Sequence, residues 1–389
     1  MTSLSTPKLH WDIFCKIVDN FGDIGICWRL AKQLRHEHGL IVRLWIDDLA
    51  TAKKIIPHLN VGLKQQVIDE IVIFKLPNAD EMSEADFTNV ADVVIEAFAC
   101  ELPIVYLSAM AQKKSKYNQQ ITWINLEYLS AEPWVADFHA QPSPQANGLT
   151  RHFYFPGFTE STGSLIREVY IVNKNQILAS SSDSQDAFWQ SLNLTNSPHL
   201  KVSLFTYPHA PINDLLTAMA ESNQPIDCYV PESSILSKVA DFFAIKSLKV
   251  GENVQLKNLN LHVLPFLNQV DYDQLLTACD INFVRGEDSW LRAIWAGKPF
   301  IWQPYFQDES AHIKKLEAFL ALFYANFDVK AQVIQMHTAW ASEHLSAAVW
   351  QDYLNQLPNI AGYTSQQSLQ LAKQTDLAAK LVIFCNRIQ

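Results

Sequence analysis

Twice along the chain, short β-rich apolar runs alternate with segments of helical spacing, and this constrains the fold more than any single motif. Parallel strands need crossover connections, usually helices, so such a chain builds parallel sheets covered on both faces. In the first half, strand-like stretches at 10–18, 40–46, 70–76, 92–99 and 121–129 alternate with helical ones at 24–38, 49–56 and 101–113. Ile24, Cys27, Ala31 and Leu34 recur at helical spacing, and Gly39 stands where that helix would end. The pattern fades near residue 170, and residues 173–198 are rich in Asn, Ser and Gln. It restarts with strand-like stretches at 201–207, 226–230, 261–266, 280–286 and 298–304, separated by helical ones at 211–222, 233–244 and 272–279. Long helical patterns fill 310–356 and 364–387. The expectation is two doubly wound α/β domains, 1–172 and 199–364, joined by a linker at 173–198.

Open α/β sheets bind ligands beyond the carboxyl ends of their strands, so the loops that follow strands carry the functional reading. Glycine sharpens it, because the chain has only 11 among 389 residues, against a usual share of about 7%. Two of them lie in Asp19-Asn20-Phe21-Gly22-Asp23-Ile24-Gly25, between the first strand and the first helix. Such glycines let a backbone turn tightly and approach a ligand. The spacing is not GxGxxG, so the dinucleotide fingerprint is absent. Either acid could cap the helix, which Asp favours, but capping leaves the second acid and both glycines unexplained.

The second concentration is Arg285-Gly286-Glu287-Asp288-Ser289, after the apolar run INFV and before a helical segment. A strand, a glycine and a helix N-terminus together bind anions, and Arg285 can add a bidentate phosphate contact. A capping cluster, with Asp288 or Ser289 as the cap, is the plainer alternative. The mixture of arginine and acids suits a sugar diphosphate better than a bare phosphate. Phe205, Thr206 and Tyr207 end another strand, and Phe266 and Gln269 follow a third. Taken singly, the aromatics read as core. Their shared place at strand ends suits stacking on a nucleobase, with Gln269 on a base edge. Glu127-Tyr128-Leu129-Ser130-Ala131-Glu132, at a further strand end, either lines the site or caps the next segment.

Other classes recede. A formal charge of −10 excludes a non-specific polyanion binder. No P-loop, GxSxG elbow or metal-ligand spacing occurs, and His36-Glu37-His38 on one helix is not a zinc pair. The six cysteines are scattered through apolar contexts and read as buried free thiols. No run is apolar enough for a membrane span, and MTSLSTPKLHWD lacks the features of a signal peptide. The expectation is a cytoplasmic protein with neither nucleic acid nor membrane as partner.

Asp19–Gly25, Ile95-Glu96-Ala97-Phe98-Ala99-Cys100, Glu127–Glu132, Arg285–Ser289 and Ala296-Gly297-Lys298-Pro299-Phe300 resemble, in order, motifs of the bacterial elongation factor P arginine rhamnosyltransferases, the EarP family. The resemblance implies a GT-B glycosyltransferase architecture, two Rossmann-like domains facing a central cleft, with the helix at 365–389 returning to the N-terminal domain. It implies transfer of L-rhamnose from dTDP-β-L-rhamnose to an arginine of elongation factor P, with inversion and without a metal or other cofactor. The modified factor helps ribosomes through consecutive prolines. Asp23 then corresponds to the catalytic base, with Asp19 and Glu287 as its acidic companions. Asn20, Phe21 and Gly22 would line the substrate site. Tyr207, Gln269, Arg285, Gly286, Asp288 and Ser289 would hold the donor, with Phe205 and Phe266 stacking on thymine.

Elementary chemistry is consistent with an arginine acceptor. A guanidinium stays protonated and nucleophilically poor, and paired carboxylates can grip it and orient one nitrogen. A helix N-terminus should depress the pKa of Asp23, making it a good clamp and a weak base. The residues alone leave open another GT-B nucleotide-sugar enzyme, such as a small-molecule glycosyltransferase or an epimerase. They also leave open a non-catalytic nucleotide-binding module that docks a translation factor. The paired acids favour an enzyme, because a pure diphosphate binder would avoid them.

Overall fold

The computed structural model describes residues 9–19, 21–78, 80–87, 89–117, 119–307 and 310–388. It divides into two units, Met1–Val169 with Gln374–Gln389, and Tyr170–Lys373. In the first unit, strands β1 (His10–Cys15), β2 (Ile41–Ile46), β3 (Gln65–Ile68), β4 (Ile71–Lys75), β5 (Val93–Ala97), β6 (Thr122–Leu126), β7 (Pro142–Pro144) and β8 (Thr150–Tyr154) form one sheet. Its order is β3-β4-β2-β1-β5-β6-β8-β7, so the winding direction reverses at β1 and β5. All pairs are parallel except the two edge hairpins, β3–β4 and β7–β8. β1 is buried almost throughout, as the central strand of a two-faced sheet must be.

The helices of this unit are α1 (Gly22–His36), α2 (Leu49–Ile55), α3 (Ile104–Tyr117) and the short α4 (Val135–Phe138). Gly39 takes φ +67°, and its N–H bonds the Arg35 carbonyl at 3.1 Å, closing the end of α1. α1 is buried on more than its sheet face. Arg29 pairs with Glu168 at 3.1 Å, both buried, and the Gln33 amide donates to Asp376 at 3.0 Å. The first bond ties α1 to the end of the unit's main stretch, and the second draws the chain's last segment over α1.

The second unit has strands β9 (Leu200–Leu204), β10 (Ile226–Pro231), β11 (Asn253–Leu256), β12 (Leu259–Leu264), β13 (Ile281–Arg285) and β14 (Phe300–Gln303). Their order is β11-β12-β10-β9-β13-β14, reversing at β9 and β13. Helices α5 (Ile171–Ser180), α6 (Ser182–Ser191), α7 (Ile212–Ala220), α8 (Leu236–Phe242), α9 (Gln269–Ala278) and α10 (Asp288–Ala296) are followed by α11 (Ala311–Phe323), α12 (Lys330–Ala341), α13 (Ala347–Asn355) and α14 (Leu357–Leu371). The last helix of the chain, α15 (Leu377–Ile388), lies in the first unit.

Several expectations need correction. The stretch at 173–198 is not a linker, because α5 and α6 occupy most of it within the second unit. Its serines disguised a helix start: Ser181 caps α6 by accepting from the Ser184 N–H at 3.2 Å. Buried Trp189 packs against Tyr229 at 4.3 Å. The unit boundaries fall at 169/170 and 373/374 rather than at 172 and 365, so residues 365–371 belong to α14 of the second unit. The first strand ends at Cys15, releasing residues 16–19 into a loop. Strands β3, β7, β8 and β11 were missed; β3, β7 and β11 are short antiparallel edge strands, and β8 carries polar residues mid-strand. Five of the six cysteines are buried and Cys100 is half-buried. Among the described residues, no helix is long and apolar enough to cross a membrane.

α9 and α10, which carry the residues expected at the donor site, are locked together. Buried Arg292 grips Asp273 with two bonds of 2.8 Å. Removing one partner of such a pair strands the other charge and costs about 3–5 kcal/mol. Arg292→Met should therefore lower the melting temperature sharply. Arg292→Met with Asp273→Leu should recover a large part of the loss, and thermal unfolding of both variants checks this.

Candidate active site

In the first unit, the loop after β1 turns back on itself through one carboxylate. Asp23, on the first turn of α1, does not cap that helix; Phe21 occupies the cap position without a side-chain bond. Instead, Asp23 Oδ2 accepts the N–H groups of Val18 at 2.7 Å and Asp19 at 2.9 Å. The Tyr128 hydroxyl donates to Asp23 Oδ1 at 3.2 Å. Asp19 stays half-buried beside it, its carbonyl accepting from the Gly22 N–H at 2.8 Å. A Cβ at Gly22 would come within 2.9 Å of Asp19 Oδ2, so glycine here makes room for the second acid. The capping alternative therefore fails for Asp23. Phe21 and Gly22 stand on the same turn, while Asn20 lies outside the described residues.

The expected pKa depression of Asp23 is also corrected. Burial raises it above the usual carboxylate value, and nearby Asp47 pushes the same way. The hydrogen bonds from Val18, Asp19 and Tyr128 oppose this without cancelling it. Desolvation of a group with 1% exposure outweighs a helix end. Asp47, just beyond β2, was missed; its Oδ1 accepts the Ile17 N–H at 3.0 Å and so shapes the same loop.

In the second unit, the carboxyl ends of β9 and β13 meet. The Arg285 guanidinium lies over the rings of Phe205 at 4.4 Å and Tyr207 at 4.6 Å. It also donates to the Thr206 carbonyl at 3.2 Å. Gly286 takes φ +60°, a turn that glycine adopts without strain. Glu287 occupies the cap position of α10 without a side-chain bond to the helix end. The Ser289 hydroxyl binds backbone instead, accepting the Arg285 N–H at 3.0 Å. Neither Asp288 nor Ser289 is the cap, so the capping alternative fails here too.

Gln269 is buried at the first position of α9, and its amide donates to Asp288 at 3.4 Å. Asn268 caps that helix, accepting from Val270 at 2.9 Å and Asp271 at 3.0 Å. Phe266 is half-buried on the preceding loop. Gln303, missed from sequence, organises the floor: its Oε1 accepts the Tyr207 N–H at 2.8 Å and the Thr206 hydroxyl. The signal was a glutamine at a strand end directly before Pro304.

The chain is similar to known proteins over nearly its whole length. The family described as Elongation-Factor P (EF-P) rhamnosyltransferase EarP matches residues 11–386. A protein-arginine rhamnosyltransferase of Pseudomonas putida is 41% identical over 380 residues, covering 97% of this chain and 98% of that protein. The protein of the same name from Shewanella oneidensis is 36% identical, covering 99% and 100%. A solved structure, described as the structural basis for EarP-mediated arginine glycosylation of translation elongation factor EF-P, superposes with TM-score 0.70 and 30% identity, covering 98% of this chain and all of that one. The glycosyltransferase VinC, solved in complex with dTDP, shares the fold alone, with TM-score 0.50 and 12% identity over 97% of this chain. A doubly wound α/β chain with acids after β1 and an arginine turn after β13, matched over nearly its whole length, belongs to the EarP family of arginine rhamnosyltransferases, glycosyltransferases of GT-B fold.

Proposed function

We propose that the chain transfers L-rhamnose from dTDP-β-L-rhamnose to an arginine of elongation factor P, with inversion and without a metal. The observation that carries this reading is the buried Asp23 carboxylate, held by the Val18 and Asp19 N–H groups beside a second acid. A carboxylate with a raised pKa serves an acceptor that must lose a proton better than a helix cap does. Asp23 takes that proton from the attacking guanidinium nitrogen. Asp19, on the same loop, balances the cation and orients its fork, and Glu287 is assigned to the reaction as a further acid. The nitrogen attacks the anomeric carbon from the face opposite the leaving dTDP, which inverts that centre.

The second unit suits the donor. Arg285 and the uncapped N-terminus of α10 supply positive potential for the leaving diphosphate, a task that a metal performs elsewhere. Phe205 and Phe266 offer ring faces for thymine. Tyr207, Gln269, Gly286, Asp288 and Ser289 complete the donor contacts. In this reading the partners are the nucleotide sugar and elongation factor P, which places the work in the cytoplasm.

Three outcomes are expected. Phe266→Ala should weaken dTDP binding by about tenfold or more, since base–aromatic stacking is worth about 1–3 kcal/mol. Calorimetry that gives unchanged affinity in both Phe266→Ala and Phe205→Ala sinks the stacking roles. Turnover should survive EDTA; loss on chelation with recovery on adding magnesium or manganese would make the acids metal ligands.

Asp23→Asn should bind donor as the parent does but lose at least about 10²-fold in single-turnover rhamnosylation. Its stability has a definite sign. A carboxyl whose folded pKa is raised stabilises the fold while protonated, and that contribution is lost as pH rises through the folded value. Above the folded pKa the buried charge is therefore a burden that Asn does not carry, and there Asn should melt no lower than the parent. Undiminished turnover removes Asp23 from the mechanism.

A further inference from the structure

We propose that Tyr128 is the positioning residue for Asp23, fixing its carboxylate so that one lone pair remains for the acceptor. This rests on the reading of Asp23 as the group that receives the acceptor's proton. An ionised carboxylate offers about four lone-pair sites, two on each oxygen. Val18 and Asp19 N–H occupy those of Oδ2, and the Tyr128 hydroxyl takes one on Oδ1 at 3.2 Å. The site left over is the second one on Oδ1. The Oδ2 bonds set the plane of the carboxylate, and the phenol holds that plane from the other oxygen while filling one of its two sites.

The protein supports Tyr128 with unusual backbone. The Tyr128 ring stacks on Phe98 at 4.4 Å and 15°. Phe98, Ala99 and Glu101 all take left-handed φ values, +56°, +51° and +58°. L-residues adopt this region at a cost, and they keep it only where surroundings enforce it. The enforcing groups are buried. Asn125 Oδ1 accepts the Ala99 N–H at 3.2 Å, and Glu96 Oε1 accepts the Glu101 N–H at 3.1 Å. The Asn125 amide also donates to Glu127 at 2.6 Å, tying the residue before Tyr128 to the same turn. Two motifs noted in the sequence, Ile95–Cys100 and Glu127–Glu132, thus act together as a mount for one hydroxyl.

The consequence is a pH effect with a fixed sign. The groups facing Asp23 are Asp19 on its own loop, Asp47 beyond β2, the thiol of Cys15 on β1, and Tyr128 beyond β6. Its hydrogen bond with Cys27, on α1, and then burial hold the Cys15 thiol well above its usual value, so it stays protonated. Tyr128 is the side-chain hydroxyl that favours the ionised carboxylate. Losing it raises the Asp23 pKa, and activity then disappears at a higher pH on the acid side. The acceptor arginine stays protonated throughout and does not contribute to this limb.

The test measures kcat/KM against pH, the donor KM and the melting temperature for full-length Tyr128→Phe, Phe98→Leu and Asp23→Asn. Tyr128→Phe should keep the stack and the donor KM, move the acid limb up by about one pH unit and reduce the plateau roughly tenfold. Phe98→Leu keeps the hydroxyl but loosens it, and it should move the limb in the same direction by less. If Asp23→Asn is inactive while the Tyr128→Phe limb coincides with the parent's, the positioning role is wrong and the Asp23 reading stands. A uniform fall at every pH with an unmoved limb also overturns the proposal, leaving Tyr128 structural. If Asp23→Asn turns over like the parent, the reading beneath the proposal fails. Should Tyr128→Phe not fold, an unmoved limb in Phe98→Leu overturns the proposal.

Discussion

A parallel sheet cannot return its chain without a crossover, and where the winding direction reverses, two loops diverge and leave the strand ends uncovered. Both sheets reverse once, at β1 and β5 and again at β9 and β13. The central candidate residues follow from those reversals, and the neighbouring strand ends add Tyr128 after β6 and Phe266 and Gln269 after β12. Asp19 and Asp23 come after β1, Phe98 after β5, Phe205 and Tyr207 after β9, and Arg285 ends β13. Covering helices hold these ends in place, and buried pairs such as Asp273–Arg292 and Arg29–Glu168 fix the helices.

Charge is handled differently in the two units. In the first, an acid is buried and kept ionisable by backbone donors rather than by a cation. Burial raises its pKa above the usual carboxylate value, while the hydrogen bonds from Val18, Asp19 and Tyr128 offset part of that rise. In the second, the charge is a guanidinium laid over two aromatic faces, which hold it without neutralising it. The first arrangement suits an incoming cation that must lose a proton. The second suits a departing anion.

The alternation of strands and helices was legible because buried parallel strands and crossover helices impose different periods on the sequence. Strand ends near Asp19, Phe205 and Arg285 were legible for the same reason. Three features were not. The helices at 171–191 were hidden because serine and asparagine serve equally as caps and as loop residues, as Ser181 shows. The sign of the Asp23 shift was misread because a helix end is visible in sequence, whereas desolvation depends on what packs around the group. Tyr128 and Phe98 could not be joined to Asp23, since their contact depends on left-handed φ values that leave no compositional mark when the residues are not glycine. Glycine was informative at Gly22, Gly39 and Gly286, where a close approach or a positive φ requires it.

The most direct measurement is a mass spectrum. The purified chain is incubated with dTDP-L-rhamnose and elongation factor P, without added metal, and the factor is digested and sequenced by fragmentation. The expected result is one deoxyhexose increment on a single arginine side chain, absent when the sugar nucleotide is omitted. An unmodified factor, or an increment carried by a residue other than arginine, would contradict the proposed reaction.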